Sequence, residues 1–314
     1  LMSHEDTEHH TIEPSWRVKA RHFYKALNVY KLRWSPFERR AHQQTDVYML
    51  WFPKTGGTWV RLLINGALPR HTGITPEVPL DFEAFERAEP PVPRIRAHND
   101  DEPHWKTPAQ LDTDKAHFRN HKVILLVRDP RDTVVSLWFQ KTKRWRTYER
   151  SLHEFVREPS GSVQTMIAFY NIWAKQRQDA GAVLLVRYED IHEDPAGTLR
   201  RMLDFAGLEA VSDEVVAQSV EAADFDRMRK REAKAEWKTS RLRPGDPEDR
   251  ESFKARRGKV GGYHDYLSEE DVAWLTALVE TELDPWYGYG ADRAERVAIY
   301  DLGGGTFDLT LLEL

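Results

Sequence analysis

The 314-residue sequence contains no cysteine. This absence excludes disulfides, thiol catalysis and cysteine-based metal sites, and it suits a reducing compartment. No run approaches the roughly 18–20 apolar residues of a membrane-spanning helix. Residues 1–16 lack the apolar stretch of a secretory signal. We therefore expect a soluble, cytoplasmic protein.

The charge balance bears on nucleic-acid binding. The formal net charge is −5, which argues against a general nucleic-acid binder. Residues 1–15 are polar, and we predict a disordered tail there. From Trp16 to Trp34 an apolar stripe with helical spacing is surrounded by basic residues. We interpret it as a helix packed on the core, with peripheral membrane contact as the alternative.

Apolar runs alternate with helical patterns along the rest of the chain. This order predicts an α/β protein with a parallel sheet covered by helices on both faces. We assign residues 16–290 to one domain. The predicted strands are 46–52, 94–98, 122–127 and 182–190, and the predicted helices are 132–144, 162–178, 194–208 and 268–283.

The stretch PKTGGTW, residues 53–59, joins the first strand to a helix. Backbone amides of Gly56 and Gly57 can approach a phosphate closely, and the helix that starts near Thr58 adds its N-terminal dipole. Lys54 adds a full charge. The lysine precedes the glycines, so the order of a Walker A loop is absent.

Three further segments carry groups that can bind phosphate. In RDPRDTVVS, residues 128–136, Arg128 and Ser136 are placed to hold one phosphate. The alternative is that Arg128 pairs with Asp129 or Asp132. The other two segments are RYED, residues 187–190, at a strand end, and the glycine- and arginine-rich FKARRGKVGG, residues 253–262.

Together, and in this order, the four motifs resemble those of the sulfotransferases that use 3′-phosphoadenosine 5′-phosphosulfate (PAPS). The resemblance spans residues 46–290. It implies a P-loop NTPase-like central parallel sheet flanked by helices, the sulfotransferase fold. It also implies transfer of a sulfuryl group from PAPS to a hydroxyl or amine of a small-molecule or lipid acceptor. The product of the cofactor is the 3′,5′-bisphosphate PAP, and no metal is required.

The resemblance implies a role for each motif residue. Lys54 stabilises charge on the bridging oxygen of the leaving phosphate, and the loop after it grips the 5′-phosphate. Arg128 and Ser136 hold the 3′-phosphate, while Trp59 stacks on adenine. The implied cofactor-binding residues are Lys54, Thr55, Gly56, Gly57, Thr58, Trp59, Arg128, Ser136, Tyr188, Phe225, Arg256, Arg257 and Gly258.

The family's catalytic base is the His of a Lys-Thr-His motif, and the matching stretch here is Arg96, Ala97 and His98. His98 is therefore the candidate base, with His104 as the fallback. Gly57 stands where the family usually has Thr or Asn, and Arg96 replaces its Lys. These departures affect the expected rate and substrate more than the cofactor.

Other interpretations stay open. A P-loop kinase acting on a small molecule or nucleotide, with Asp129 holding magnesium, is the alternative enzyme. A non-enzymatic nucleotide-binding module is the other alternative. Residues 227–262 are either a solvated, mobile segment or a lid over an anionic ligand. Residues 291–314 include DLGGGTFD, which resembles a phosphate loop of heat-shock chaperone ATPases, and we interpret them as an appended hairpin fragment.

Overall fold

The computed structural model describes residues 36–290, 296–301 and 308–313. The predicted disordered tail, the basic N-terminal helix with its membrane alternative, and the glycine turn at 303–305 lie outside the described residues.

The described strands are β1 Val47–Trp51, β2 Ile95–Asn99, β3 Lys122–Val127, β4 Ala182–Arg187, β5 Arg296–Asp301 and β6 Asp308–Glu313. The first four form a parallel sheet at the centre of the fold, in the order β2-β1-β3-β4. In its register, Leu50 lies opposite both His98 of β2 and Leu125 of β3. A separate two-stranded antiparallel sheet is formed by β5 and β6.

The described α-helices are α1 Pro36–Gln43, α2 Gly57–Thr72, α3 Pro130–Phe139, α4 Leu152–Val156, α5 Val163–Gln176, α6 Tyr188–Glu193, α7 Pro195–Ala206, α8 Asp213–Ala222, α9 Phe225–Ala233 and α10 Glu269–Glu282. Short 3₁₀ turns connect them. Helices cover both faces of the sheet, and successive residues of β1 point to opposite faces. Val47 and Met49 pack with α2, α7 and α8, whereas Tyr48 and Leu50 pack with α3, α5 and α10.

The predicted helix at 194–208 is confirmed together with its end signals. Asp194 caps α7 by accepting a hydrogen bond from the amide of Gly197, and Pro195 is the first helical residue. Gly207 ends the helix in the left-handed conformation, with φ of 90°. Local sequence therefore determines both ends of this helix.

Two predictions of local structure are wrong in detail, and one of the two open interpretations of a third segment is not supported. The fourth strand ends at Arg187, and it lies at the sheet edge, so most of its side chains are only partly buried. The helix predicted to reach Arg144 is α-helical only to Phe139 and continues as a π-turn over Gln140–Arg144. The segment 227–262 is not simply solvated, since the buried side chains of Trp237 and Leu242 pack with those of Leu80 and Met228.

None of the helices in the described part of the chain combines the length and hydrophobicity that a membrane crossing requires.

Candidate active site

A cavity of ≈ 720 Å³ lies where β1, β2 and β3 end. Open α/β sheets place ligands at this edge, because parallel strands deliver their following loops to one side. The cavity is lined by all of the predicted site residues except Thr55. The hydroxyl of Thr55 is fully buried and donates to the carbonyl of Phe52 at 2.9 Å, so this side chain supports the turn.

The loop after β1 is shaped by left-handed residues. Lys54 has φ of 79° and Gly56 has φ of 102°. A Cβ atom on Gly56 would lie 2.6 Å from the ring of Tyr188, so both conformation and space require glycine here. The loop leads directly into α2 at Gly57, whose amide belongs to the helix N-terminus.

Gly57, the departure from the family pattern, has a local cause. A Cβ atom at this position would lie 2.5–2.9 Å from the indole of Trp51. Trp51 is the last residue of β1 and is 7% exposed. A side chain at position 57 therefore does not fit beside this tryptophan.

Lys54 extends into the cavity and its Nζ donates to Oε1 of Gln140 at 3.1 Å. Burial lowers the pKa of Lys54 well below its usual value, and the positive charges of Lys254, Arg144 and Arg256 lower it further. A bound anion would offset both effects. The site is therefore electrostatically prepared for negative charge.

Arg128 follows β3 and is 9% exposed. Its Nη2 lies 3.4 Å from Oδ2 of Asp132 and donates to the carbonyl of Lys259 at 3.0 Å. The pairing with Asp132 that the sequence left open is thus formed. The buried Nε of Arg128 has no hydrogen-bond partner, and its guanidinium lies 4.2 Å from the ring centre of Tyr188. Arg128 therefore keeps donor capacity at the cavity wall.

The glycine- and arginine-rich loop reaches the same end of the cavity. Arg256 pairs with Glu251 at 3.0 Å, and Arg257 pairs with Asp265 at 2.7 Å. Gly258, with φ of 61°, lies against Phe225, since a Cβ there would approach the ring to 2.4 Å. The loop is held close by the carboxylate of Asp132, which accepts the amides of residues 261 and 263.

Aromatic rings form the third part of the site. The rings of Trp59 and Tyr188 are 5.7 Å apart, and Nε1 of Trp59 donates to the carbonyl of Ala223. His192, which sequence reasoning missed, packs against both rings at 4.9 and 4.7 Å. His192 follows Tyr188 by four residues on α6, and this helical spacing could have predicted that the two side chains lie on the same face. Burial lowers the pKa of His192, and the charge of Arg128 adds to this effect.

The two candidate bases differ in exposure. His98, the next-to-last residue of β2, is an exposed side chain lining the cavity, and its Nδ1 is 2.9 Å from the carbonyl of Asn99. His104 is 2% exposed and packs between Trp105 and Trp145. Only His98 combines a cavity position with wide access.

A buried ion pair fixes the chain directly after His98. Nζ of Lys115 lies 2.6 Å from Oδ2 of Asp100, which also accepts Nε1 of Trp173. Burial acts to raise the pKa of Asp100, but the charge and hydrogen bond of Lys115 outweigh it and lower the pKa. The end of β2 is therefore held rigidly.

Sequence reasoning also missed the residues that the π-turn delivers. Gln140 begins the π-turn and Arg144 ends it, and both line the cavity. Arg144 lies 3.5 Å from the buried Glu232. Lys254, on the opposite loop, has its pKa lowered to about 7 by burial and by the charges of Arg144 and Arg61.

Asp129, the residue proposed for magnesium in the kinase alternative, is engaged otherwise. Its carboxylate pairs with Arg131 at 2.7 Å and caps α3 by accepting the Arg131 amide. Among the residues that the structure describes, no three His, Asp or Glu side chains are grouped as metal ligands.

The chain matches one protein family, described as the sulfotransferase domain, over residues 44–286. No significant match was found among curated proteins. A similar solved structure is mouse sulfotransferase SULT7A1 complexed with PAP. Its TM-score is 0.54, with 21% identity over 76% of this chain and 84% of that one.

Two structures of retinol dehydratase are also similar. One contains androsterone and the inactive cofactor PAP, and the other contains retinol and PAP. Both have TM-scores of 0.51, with identities of 17% and 18%, and both cover 77% of this chain and 82% of the other. At these identities the similarity shows the shared fold.

Proposed function

The chain belongs to the sulfotransferase family, and from this premise we propose that it transfers the sulfuryl group of PAPS to a hydroxyl group of a small-molecule acceptor. The observation that supports the proposal is one cavity lined by two separate groups of residues suited to anions, one after β1 and one after β3. PAPS has phosphate groups at both ends, and the solved relatives described above contain PAP.

The residues present fit such a cofactor. Gly56 and Gly57 lie at the N-terminus of α2, where a phosphate is favoured. At the other end, the buried Nε of Arg128 lacks a partner and Ser136 lines the same wall. Trp59, Tyr188 and Phe225 supply the aromatic surface for adenine between the two ends.

When bound, PAPS supplies the sulfuryl group and a phosphate leaving group. Lys54 would stabilise the negative charge that develops on the bridging oxygen, and that charge would offset the burial that lowers the pKa of Lys54. The same low dielectric that lowers the pKa of Lys54 strengthens this interaction.

His98 is the proposed general base. With Nδ1 donating to the carbonyl of Asn99, the basic lone pair of this tautomer is on Nε2. Nε2 then takes the proton of the acceptor hydroxyl as its oxygen attacks sulfur. The buried Asp100–Lys115 pair keeps the strand end in place for this step.

The role of His98 is tested by His98→Gln, for which we expect turnover to fall by about 10²–10⁴-fold with PAP affinity unchanged. His104→Gln is the matched comparison, since its ring also lines the cavity. A larger loss of turnover in the His104 variant would identify His104, and not His98, as the base.

The cofactor is tested by calorimetric titration with PAP, AMP and ADP in the absence of magnesium. We expect tight binding of PAP that depends on its 3′-phosphate. Equal affinity for PAP and AMP, or ADP binding only when magnesium is added, would contradict the proposal. The second outcome would favour the kinase.

The small-molecule acceptor is supported by the androsterone and retinol found in the similar structures. The cytoplasmic location stays a prediction, which cell fractionation followed by immunodetection of the chain would test.

A further inference from the structure

Six cationic side chains line the cavity without a part in the proposed function, and three of them are only partly exposed. Arg61 is on α2, Arg144 ends the π-turn, and Lys254 precedes the arginine-rich loop. We call these three residues the cationic cluster. The charges of Arg144 and Lys254 lower the pKa of Lys54, and those of Arg144 and Arg61 lower the pKa of Lys254, so the three act on one another within this cavity.

The charges of the cluster are poorly compensated. Within the described residues, neither Arg61 nor Lys254 forms an ion pair, and Nζ of Lys254 donates no hydrogen bond. Arg61 donates to the carbonyl of Gly57 at 3.2 Å and lies over the ring of Trp51 at 5.3 Å. Arg61 and Lys254 are only partly exposed, and cations in such positions are normally paired, so two unpaired ones in a cavity favour an anionic ligand.

Arg144 makes the strongest case. Its side chain is 10% exposed, and its buried Nε has no hydrogen-bond partner. Glu232 lies 3.5 Å from it, but this carboxylate also accepts the amides of Lys254 and Ala255 at 2.5 and 2.8 Å. Glu232 therefore compensates Arg144 only in part, since the same carboxylate also acts on the charge of Lys254.

The electrostatic consequence appears in two of the side chains. Burial and neighbouring positive charge lower the pKa of Lys254 to about 7 and that of Arg61 to about 10. Each cation is thus held in an unfavourable environment that an anion would relieve.

Beside the cluster is an aromatic wall. Trp145, next to Arg144 in sequence, and Trp105 both line the cavity with ring centres 5.6 Å apart and planes 32° apart. These rings and His98 line the same cavity as the cluster. The wall offers a surface on which a flat acceptor can stack.

We propose that the acceptor is an aromatic hydroxyl compound that carries an anionic group, a carboxylate or a phosphate, and that the cationic cluster binds this anion while the hydroxyl faces His98. The inference rests on the proposed sulfuryl transfer. It distinguishes this site from those that accept neutral molecules such as androsterone and retinol, the ligands of the similar structures.

The test measures binding by calorimetry to the protein saturated with PAP. The probes are 6-hydroxy-2-naphthoate, its methyl ester and 6-hydroxy-2-naphthyl phosphate. We expect at least one anion to bind about tenfold or more tightly than the neutral ester, as for hydrogen bonds between charged groups. The two anions distinguish a carboxylate site from a phosphate site.

Lys254→Met should remove most of this preference, and Arg61→Gln should weaken it. Lys175→Met, which removes an exposed lysine outside the cavity, is the control and should leave it intact. Unchanged PAP binding in each variant shows that the fold is retained. Equal binding of acid and ester, a preference that survives Lys254→Met, or no binding of any probe would overturn the inference. Failure of PAP itself to bind would instead overturn the proposed function.

Discussion

The two ends of the cavity differ in how their positive charges are compensated. At the end that follows β3, Arg128, Arg256 and Arg257 each have a carboxylate partner within the protein. At the end beside Lys54, neither Lys54 nor Lys254 forms an ion pair with a described residue. The first end is preorganised by its own ion pairs, whereas the second is prepared for charge that a ligand brings.

This contrast agrees with what each end is proposed to do. A group that binds the constant part of a cofactor needs fixed geometry, which carboxylates such as Asp132 supply by ordering the loop around Arg128. A group that acts on developing or incoming charge gains most from a cation without a permanent partner. Under the proposed function, one end of the cavity binds the constant part of the cofactor and the other end acts on the charge that develops during transfer.

Of the two ends, the unpaired end should show the larger effect. Lys54→Met should lower turnover by about 10²–10³-fold, because it removes the charge beside the leaving oxygen. Steady-state kinetics and thermal melting measure the activity and the fold. Near-normal turnover in a folded variant would remove Lys54 from the proposed mechanism, and Lys175→Met serves as the matched control.

The paired end should respond differently. Arg128→Gln should weaken PAP by about 10–100-fold but leave AMP, which has no 3′-phosphate, nearly unchanged. Calorimetry of both nucleotides on the variant and on Arg119→Gln, a control outside the cavity, gives the ratio. Equal losses for PAP and AMP would mean that Arg128 acts on the fold and not on the 3′-phosphate.

A smaller effect concerns pH at the unpaired end. With its pKa at about 7, Lys254 is mostly protonated at about pH 6 and mostly neutral at about pH 8.5. The charged groups that act on it are Arg144, Arg61, Arg241 and Glu232, and it acts in turn on Lys54. Affinity for an anionic acceptor should therefore fall by about tenfold over this range.

Calorimetry at several pH values tests this expectation against Lys254→Met. The variant should lose most of the pH dependence. A pH profile that is the same in both would show that Lys254 does not titrate in the binding step.

The smallest expected effect is on stability, at the loop between the two ends. Gly57→Ala places a methyl group against Trp51 and should destabilise the fold by about 1–3 kcal/mol, as overpacking does. Adding Trp51→Leu should recover part of this loss, which thermal melting measures. Independent, additive losses would show that the indole is not the cause.

Local pattern was sufficient for most of the framework. The continuous apolar run at 122–127 predicts a buried strand and is one, because a central parallel strand is apolar on both faces. Asp194, Pro195 and Gly207 set the ends of α7 through interactions within a few residues. The order of the four motifs likewise indicated the family before any contact was known.

Long-range contacts decided the rest. Gln140 meets Lys54 across 86 positions of sequence, and Arg144 meets Glu232 across 88. Neither contact could be predicted from local sequence, since each depends on the π-turn that follows Phe139. The same holds for Gly57, whose explanation is the indole of Trp51 across the turn.

By itself, the sequence indicated the parallel α/β framework, the family and the residues proposed to bind two phosphates, because strand burial, helix caps and glycine turns are set by neighbouring residues. Only the tertiary structure decided which of the cations have carboxylate partners and which line the cavity without them. The reason is that the interaction between two charges depends on the distance between them in space, and these charges are far apart in the sequence.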